Sequence, residues 1–231
     1  MSAVYWLDPD SPEFPPLQAA LTEPNGLLAV GGDLGPERLL AAYRRGIFPW
    51  YEDPQPILWW SPDPRAVLFP ANVHISRSLR KMRRRGELSV TFDKAFRRVI
   101  RGCATLDLSR SGTWITSDML NAYIRMHELG WAHSVEVWRD QELVGGLYGM
   151  CIGRVFFGES MFSRVSNASK VGLATLCEWL DSQGVELIDC QVGNPHLYSM
   201  GAEDITRREF SRLLDALVNS DPAIRGRWAL E

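Results

Sequence analysis

The chain is poor in cysteine and histidine, with four of each in 231 residues, and the shortage narrows the function before any motif is read. Cys103, Cys151, Cys177 and Cys190 form no C-x-x-C pair and have no histidine ladder nearby. That spacing argues against zinc ligation and a disulfide framework; three of the four sit in apolar surroundings, as reduced buried thiols do. No stretch approaches the roughly 18 apolar residues that a membrane span needs. Residues 1–16 lack a basic region followed by an apolar run, so no secretory leader is expected and the chain is expected to be soluble and cytoplasmic. Net charge is only −3, so the chain as a whole is no binder of polyanions. Proline is scarce too, outside one region: 12 of the 14 lie in the first 70 residues and mark a loop-rich N-terminal unit.

Within that unit, residues 27–30 read as a short apolar strand ending at Gly31-Gly32-Asp33. Residues 36–45 read as a helix, with Pro at its first turn and Gly46 after its end. Trp50, Trp59 and Trp60 fall within eleven residues. Such a cluster is either a compact core or, for one or more members, a surface on which a base or ring stacks. Asp63-Pro64 is the expected linker, which divides the chain into units 1–63 and 64–231. From Arg65 on, strands and helices alternate. Strands are expected at 66–69, 88–92, 134–138, 142–150, 154–158 and from 187, and helices at 76–85, 93–101, 116–129 and 167–182. The capping box Thr206-Arg207-Arg208-Glu209 opens a last helix with the apolar stripe Phe210, Leu213, Leu214, Leu217 and Val218.

Two of the apolar stretches run into a carboxylate that reads as part of a site. In residues 186–192 (ELIDCQV) alternate side chains share a face, so Asp189 and Gln191 point the same way, about 7 Å apart at roughly 3.3 Å per residue. A carboxylate inside an apolar strand is costly unless paired or functional. It is either held by backbone donors at a strand end or placed there for chemistry. Residues 154–164 repeat the pattern, with Glu159 after Gly158, a residue that lets a ligand or another backbone come close. Together they suggest a reaction centre at the ends of a sheet.

Residues 77–101 hold ten Lys or Arg and two acids, a local charge of +8 against −11 for the remainder. Arg77, Arg80, Lys81 and Arg84 fall on one helix face, and Lys94, Arg97, Arg98 and Arg101 repeat that spacing; Leu79 and Met82, then Phe96, Val99 and Ile100, lie opposite. Two adjacent helices with matching basic stripes fit a phosphate backbone. No base-reading module is visible, so the expected partner is RNA held by shape and charge.

With these residues assembled, the chain resembles the bacterial leucyl/phenylalanyl-tRNA–protein transferase family. The resemblance is carried by residues 26–33 (GLLAVGGD), 43–50 (YRRGIFPW), 59–62 (WWSP), 74–78 (HISRS), 112–116 (GTWIT) and 127–130 (HELG). It continues through residues 133–138 (HSVEVW), 157–164 (FGESMFSR), 167–170 (NASK), 188–192 (IDCQV) and 199–202 (SMGA), and so spans nearly the whole chain in order. It implies an α+β fold: a GCN5-related N-acetyltransferase-like C-terminal domain, its mixed sheet flanked by helices, preceded by a small proline-rich N-terminal α/β domain. It also implies transfer of Leu, Phe or, less, Met from charged tRNA to proteins with N-terminal Arg or Lys, marking them for degradation by the N-degron route. No cofactor or metal is implied, since the aminoacyl ester is already activated.

Carried onto this sequence, the resemblance implies Asp189 and Gln191 as the catalytic pair with Glu159 beside them. Trp50 and Trp114 would hold the 3′ adenosine and aminoacyl group, and Leu147, Phe156, Met161 and Ile188 would line the side-chain pocket. Arg77, Arg80, Lys81, Arg83, Arg84 and Arg85 would grip the acceptor stem. A free Asp, with a pKa of about 3.9, is a poor match for full deprotonation of an α-amine near 7.7–8.0. Asp189 is therefore expected to orient the amine, acting with Gln191, while the tRNA's 2′-hydroxyl passes the proton. A coenzyme A-dependent acetyltransferase needs a glycine-rich pyrophosphate loop, and residues 164–170 (RVSNASK) lack those glycines. A non-catalytic tRNA-binding module would explain the basic stripe but leave Glu159, Asp189 and Gln191 without purpose. No long apolar seam suggests an obligate dimer, so a monomer is expected.

Overall fold

Short strands between prolines build the first of two sheets. The computed structural model describes residues 4–107, 115–220, 224 and 226–230. Strands β1 (Tyr5–Trp6), β2 (Leu27–Val30), β3 (Phe48–Pro49) and β4 (Leu58–Trp60) pair in the order β1-β2-β4-β3, and helix α1 (Pro36–Arg44) links β2 to β3. The strand alternation separates the tryptophans. Trp59 is fully buried, its ring 4.9 Å edge-on from Phe14 and its Nε1 donating to the Gly31 carbonyl at 2.8 Å. Trp50 is 47% exposed, with the half-buried Trp60 at 5.7 Å. Trp59 is therefore part of the core, whereas Trp50 stays at the surface.

The second sheet runs β11 (Glu203–Ile205), β5 (Arg65–Leu68), β10 (Leu187–Gln191), β9 (Val155–Ser163), β8 (Glu142–Ile152), β7 (Ala132–Arg139), β6 (Ser89–Phe92). Only β9 and β10 pair in parallel; the other neighbours are antiparallel. The central strands are apolar along both sides because both faces are covered. On one face Tyr148, Met150 and Phe157 meet helices α3 (Phe96–Asp107) and α4 (Ser117–Glu128) together with the N-terminal unit. On the other, Leu147, Phe156 and Ile188 meet α2 (Arg77–Arg85) and the long α5 (Ala168–Ser182). Helix α7 (Arg207–Leu217) ties the units: Arg207 donates to Asp63 and to the Ser61 carbonyl. Gly46, at φ +71°, lets the backbone pass where a Cβ would stand 2.6 Å from the Phe210 ring.

Several boundaries differ from those expected. Strand β9 does not stop at Gly158 but runs to Ser163, so Glu159 lies inside a strand rather than after it. Its far half pairs only with β8, which supplies the hydrogen bonds that no sequence pattern shows. Helix α3 starts at Phe96, not at residue 93, because Asp93 turns to φ +53°. There its carboxylate accepts the Ser134 and Trp228 amides while Glu136 receives those of Lys94 and Ala95. The Gly-Asn-Pro stop instead opens a short helix, α6 (Pro195–Ser199), whose first turn is capped by the Asn194 side chain. The two basic helices are not adjacent: Leu79 anchors α2 on one face of the sheet, and Phe96, Val99 and Ile100 anchor α3 on the other. Amphipathic period locates a polar face but says nothing about which side of a sheet the helix will cover.

Candidate active site

Strands β9 and β10 run together through Val155–Leu187, Phe156–Ile188 and Phe157–Asp189, and then part. Beyond that point β9 continues against β8 and β10 against β5, leaving a fork in the sheet. Gly158 and Glu159 stand on one arm, and Cys190 and Gln191 on the other. A cavity of about 430 Å³ occupies the fork, within the few hundred Å³ typical of small-ligand sites. Leu147, Phe156, Met161 and Ile188 line it, all four of the expected pocket residues, joined by Leu173 of α5 and Leu197 of α6. At Gly158, at the crotch of the fork, a Cβ would make only an ordinary contact with the Asp189 carbonyl, at 3.4 Å.

One end of the cavity is polar. Glu159 Oε1 accepts from the Tyr43 hydroxyl at 2.5 Å and from Gln191 Nε2 at 3.1 Å, and its Oε2 accepts from the Tyr123 hydroxyl at 2.9 Å. The two tyrosine hydroxyls also hydrogen bond to one another. Burial pushes the Glu159 carboxyl up to about 7, the nearby Asp189 charge adds to the rise, and the tyrosine and amide donors pull it back. Both tyrosines are held well above their ordinary range, by burial first and then by the Glu159 charge. Tyr43 comes from α1 of the N-terminal unit and Tyr123 from α4, so three distant elements meet at one carboxylate.

Asp189 is placed otherwise than expected. It points at no cavity: it is fully buried and forms a two-pronged ion pair with Arg65, Nε to Oδ1 at 2.8 Å and Nη2 to Oδ2 at 2.7 Å. The guanidinium lies between the Phe48 and Phe210 rings, 4.9 and 4.6 Å from their centroids. Oδ1 also accepts the Gln191 amide at 2.9 Å, which holds Gln191 at φ +61°, where non-glycine residues are uncommon. That turn breaks the register of β10 and aims the Gln191 side chain at Glu159. The Asp thus acts on the cavity through the backbone of its neighbour.

Sequence reasoning missed Tyr43, Tyr123 and Arg65. Tyr43 lay inside a quoted motif, and an apolar strand opening on Arg65 is the cation that a buried Asp requires; Tyr123 reads as ordinary helix stripe and carried no signal. Trp50 borders the cavity, its carbonyl taking Trp60 Nε1 at 2.7 Å. Trp114 lies outside the described residues. On α2, Arg77, Arg80, Lys81, Arg84 and Arg85 are exposed, whereas Arg83 is partly buried in a two-pronged ion pair with Glu178 of α5. Among the described residues no three His, Cys, Asp or Glu side chains are grouped to hold a metal ion, and no helix is long and apolar enough to cross a membrane.

Residues 67–215 match the sequence model of the leucyl/phenylalanyl-tRNA protein transferase, and residues 32–63 match that of its N-terminal domain. The chain belongs to this transferase family. Among its relatives, the leucyl/phenylalanyl-tRNA–protein transferase of Stutzerimonas stutzeri (strain A1501) is 62% identical over 209 residues, 90% of this chain and 92% of that one. The protein of the same name from Azoarcus sp. (strain BH72) is 64% identical over 205 residues, 89% and 87% of the two chains. The transferase is thus an aminoacyltransferase using leucyl- and phenylalanyl-tRNA, and the resemblance seen in its motifs holds. Comparison with solved structures finds a partial likeness to L-PGS from Bacillus licheniformis, at TM-score 0.42 and 13% identity over 84% of this chain and 64% of that one. A GCN5-related N-acetyltransferase from Kribbella flavida follows, at TM-score 0.38 and 10% identity over 73% and 60%. These similarities are weak; the α+β architecture of the transferase rests on its own strand order.

Proposed function

We propose that the fork is where Leu, Phe or, to a lesser degree, Met passes from charged tRNA to the α-amine of a protein beginning with Arg or Lys, and that the product is marked for degradation in the cytoplasm. The reading is carried by one observation: an apolar cavity of about 430 Å³ that ends in a half-buried carboxylate, Glu159, bonded to Gln191. The apolar wall suits a branched or aromatic side chain. Trp50 at its border suits stacking of the terminal adenosine, a role shared in this reading with Trp114.

The reaction joins the amine nitrogen to the ester carbonyl carbon and breaks that carbon's bond to the 3′-oxygen. An ammonium must first lose one proton, and the departing oxygen must gain one. Glu159, with a carboxyl near 7, is matched to receive the first from an α-amine of about 7.7–8.0. The 2′-hydroxyl of the tRNA passes the second to the leaving oxygen. Gln191, donating through Nε2, offers its carbonyl oxygen to the same ammonium, and Asp189 holds Gln191 in place. The ester is already activated, so the reaction needs no metal, ATP or coenzyme A. The N-terminal unit, residues 1–63, carries nine acidic and three basic residues, which favours a cationic acceptor beside Trp50. The exposed face of α2 favours the tRNA backbone. A monomer of two units, 1–63 and 64–231, suffices.

Transfer of radiolabelled Leu or Phe from charged tRNA to a peptide beginning with Arg tests this directly, with a matched peptide beginning with Asp beside it. Label is expected on the Arg peptide alone. Label on the Asp peptide, or on neither while tRNA still binds, would refute the reading.

Helix α2 gives a second expectation. Arg80→Ala and Arg84→Ala should each weaken tRNA binding and lower the slope of log K against log salt by about one per lost phosphate contact. Arg83→Ala should change that slope least, since Glu178 already neutralises Arg83. Slopes unchanged from wild type in all three variants would exclude α2 as the phosphate-binding face.

A further inference from the structure

Glu159, Tyr43 and Tyr123 form a closed triangle in which every pair of groups is within hydrogen-bonding reach. Three contacts need three protons. With Glu159 ionised the triangle holds only two, one on each hydroxyl, and one of its sides has no hydrogen. With Glu159 protonated all three sides are filled. Both tyrosines are almost wholly buried, at 1% and 0% exposure, so water does not make up the deficit.

We propose that Tyr43 and Tyr123 are positioning residues that share one mobile proton with Glu159, so that the triangle is the store that takes the proton of the incoming ammonium. This inference rests on the proposed function, in which Glu159 faces the acceptor amine. The balance closes within the site. An N–H of the ammonium breaks, its proton fills the empty side of the triangle, and the neutral amine attacks the ester carbon. The second amine proton leaves with the 3′-oxygen, and the stored proton returns to solvent when the product departs. The tyrosines donate to the carboxylate and so favour its ionised form, against burial and the charge of Asp189. The other charged or titratable groups nearby have fixed roles: Asp189 of β10 is neutralised by Arg65 of β5, and Tyr148 of β8 meets Tyr123 edge-on with ring centroids 5.5 Å apart. Tyr43 is the one member contributed by the N-terminal unit, which gives that unit a part in the chemistry.

The test is the pH profile of kcat/KM for an Arg peptide in the wild type, Tyr43→Phe, Tyr123→Phe and Glu159→Gln. Full-length protein with 13C at the Glu carboxyl carbons is titrated in parallel, the Glu159 signal being the one that Glu159→Gln removes. Loss of either hydroxyl removes a donor that favours the carboxylate, so the Glu159 midpoint and the acidic limb of the profile should both move upward. A shift of one unit makes the variant about tenfold slower than wild type well below neutrality and nearly equal at high pH. The acceptor's own amine titrates alike in all four proteins and cancels in the ratio. Two Phe variants that slow transfer by one constant factor at every pH, with the carbon midpoint unmoved, would overturn the inference. A Glu159→Gln enzyme with wild-type rates at every pH would overturn the reading beneath it. Either Phe variant alone decides the matter should the other fail to fold.

Discussion

Exchanging Arg65 for Met is expected to cost about 3–5 kcal/mol of folding stability, the range found when one partner of a buried ion pair is removed. The size follows from what is left behind. Asp189 has no exposed surface, so without the guanidinium its charge sits in a medium that cannot solvate it. Asp189→Asn should destabilise for the mirror reason, stranding Arg65 between two phenyl rings. The double change Arg65→Met with Asp189→Leu is expected to recover most of the loss, because two apolar side chains need no partner. It should not recover transfer, since the Gln191 amide then loses the acceptor that holds its turn. Urea unfolding of the four proteins, with transfer measured beside it, separates the two effects. A double variant as active as wild type would show that the ion pair serves stability alone.

Glu159→Gln is expected to slow transfer by about 10²–10⁴-fold, the usual contribution of a positioned proton acceptor, while making the protein more stable at alkaline pH. The folded carboxyl keeps its proton up to about 7, and an unfolded Glu releases it near 4.3. Between those values the folded state binds more protons, so the stability held at this site is full below the lower value and is lost as pH rises through the upper. The neutral amide carries no such loss. Wild type and variant should therefore be similar in stability near pH 4, diverge in favour of the variant as pH rises from about 4.3 to about 7, and keep a constant difference above that. A site that gains stability when its function is removed is the usual mark of a strained functional centre. Unfolding midpoints that track one another from pH 4 to 9 would remove the support for a proton held at Glu159.

How much of this was legible depended on range along the chain. The two carboxylates and Gln191 stood out because each stands in or beside a strand whose pattern is local, whereas the apolar pocket residues came from the family resemblance. The basic face of α2 was found because its period is local too. The partners that turn those residues into a site were not found: Tyr43 is 116 positions from Glu159, and Arg65 is 124 from Asp189. No pattern in either segment points to the other.

By itself, then, the sequence determined the family through its motifs, the α+β alternation through its periods, and the segments in which polar residues interrupt an apolar strand. Only the tertiary structure decided which carboxylate the cavity meets. Asp189 and Glu159 are alike on paper, each a single acid in an apolar strand. The fold gave one a guanidinium, in a two-pronged ion pair away from the cavity; the other received two phenols and an amide, which are donors without charge. An acid withdrawn from water beside neutral donors can hold a proton near neutrality. That difference lies between chain segments, so only their packing could set it.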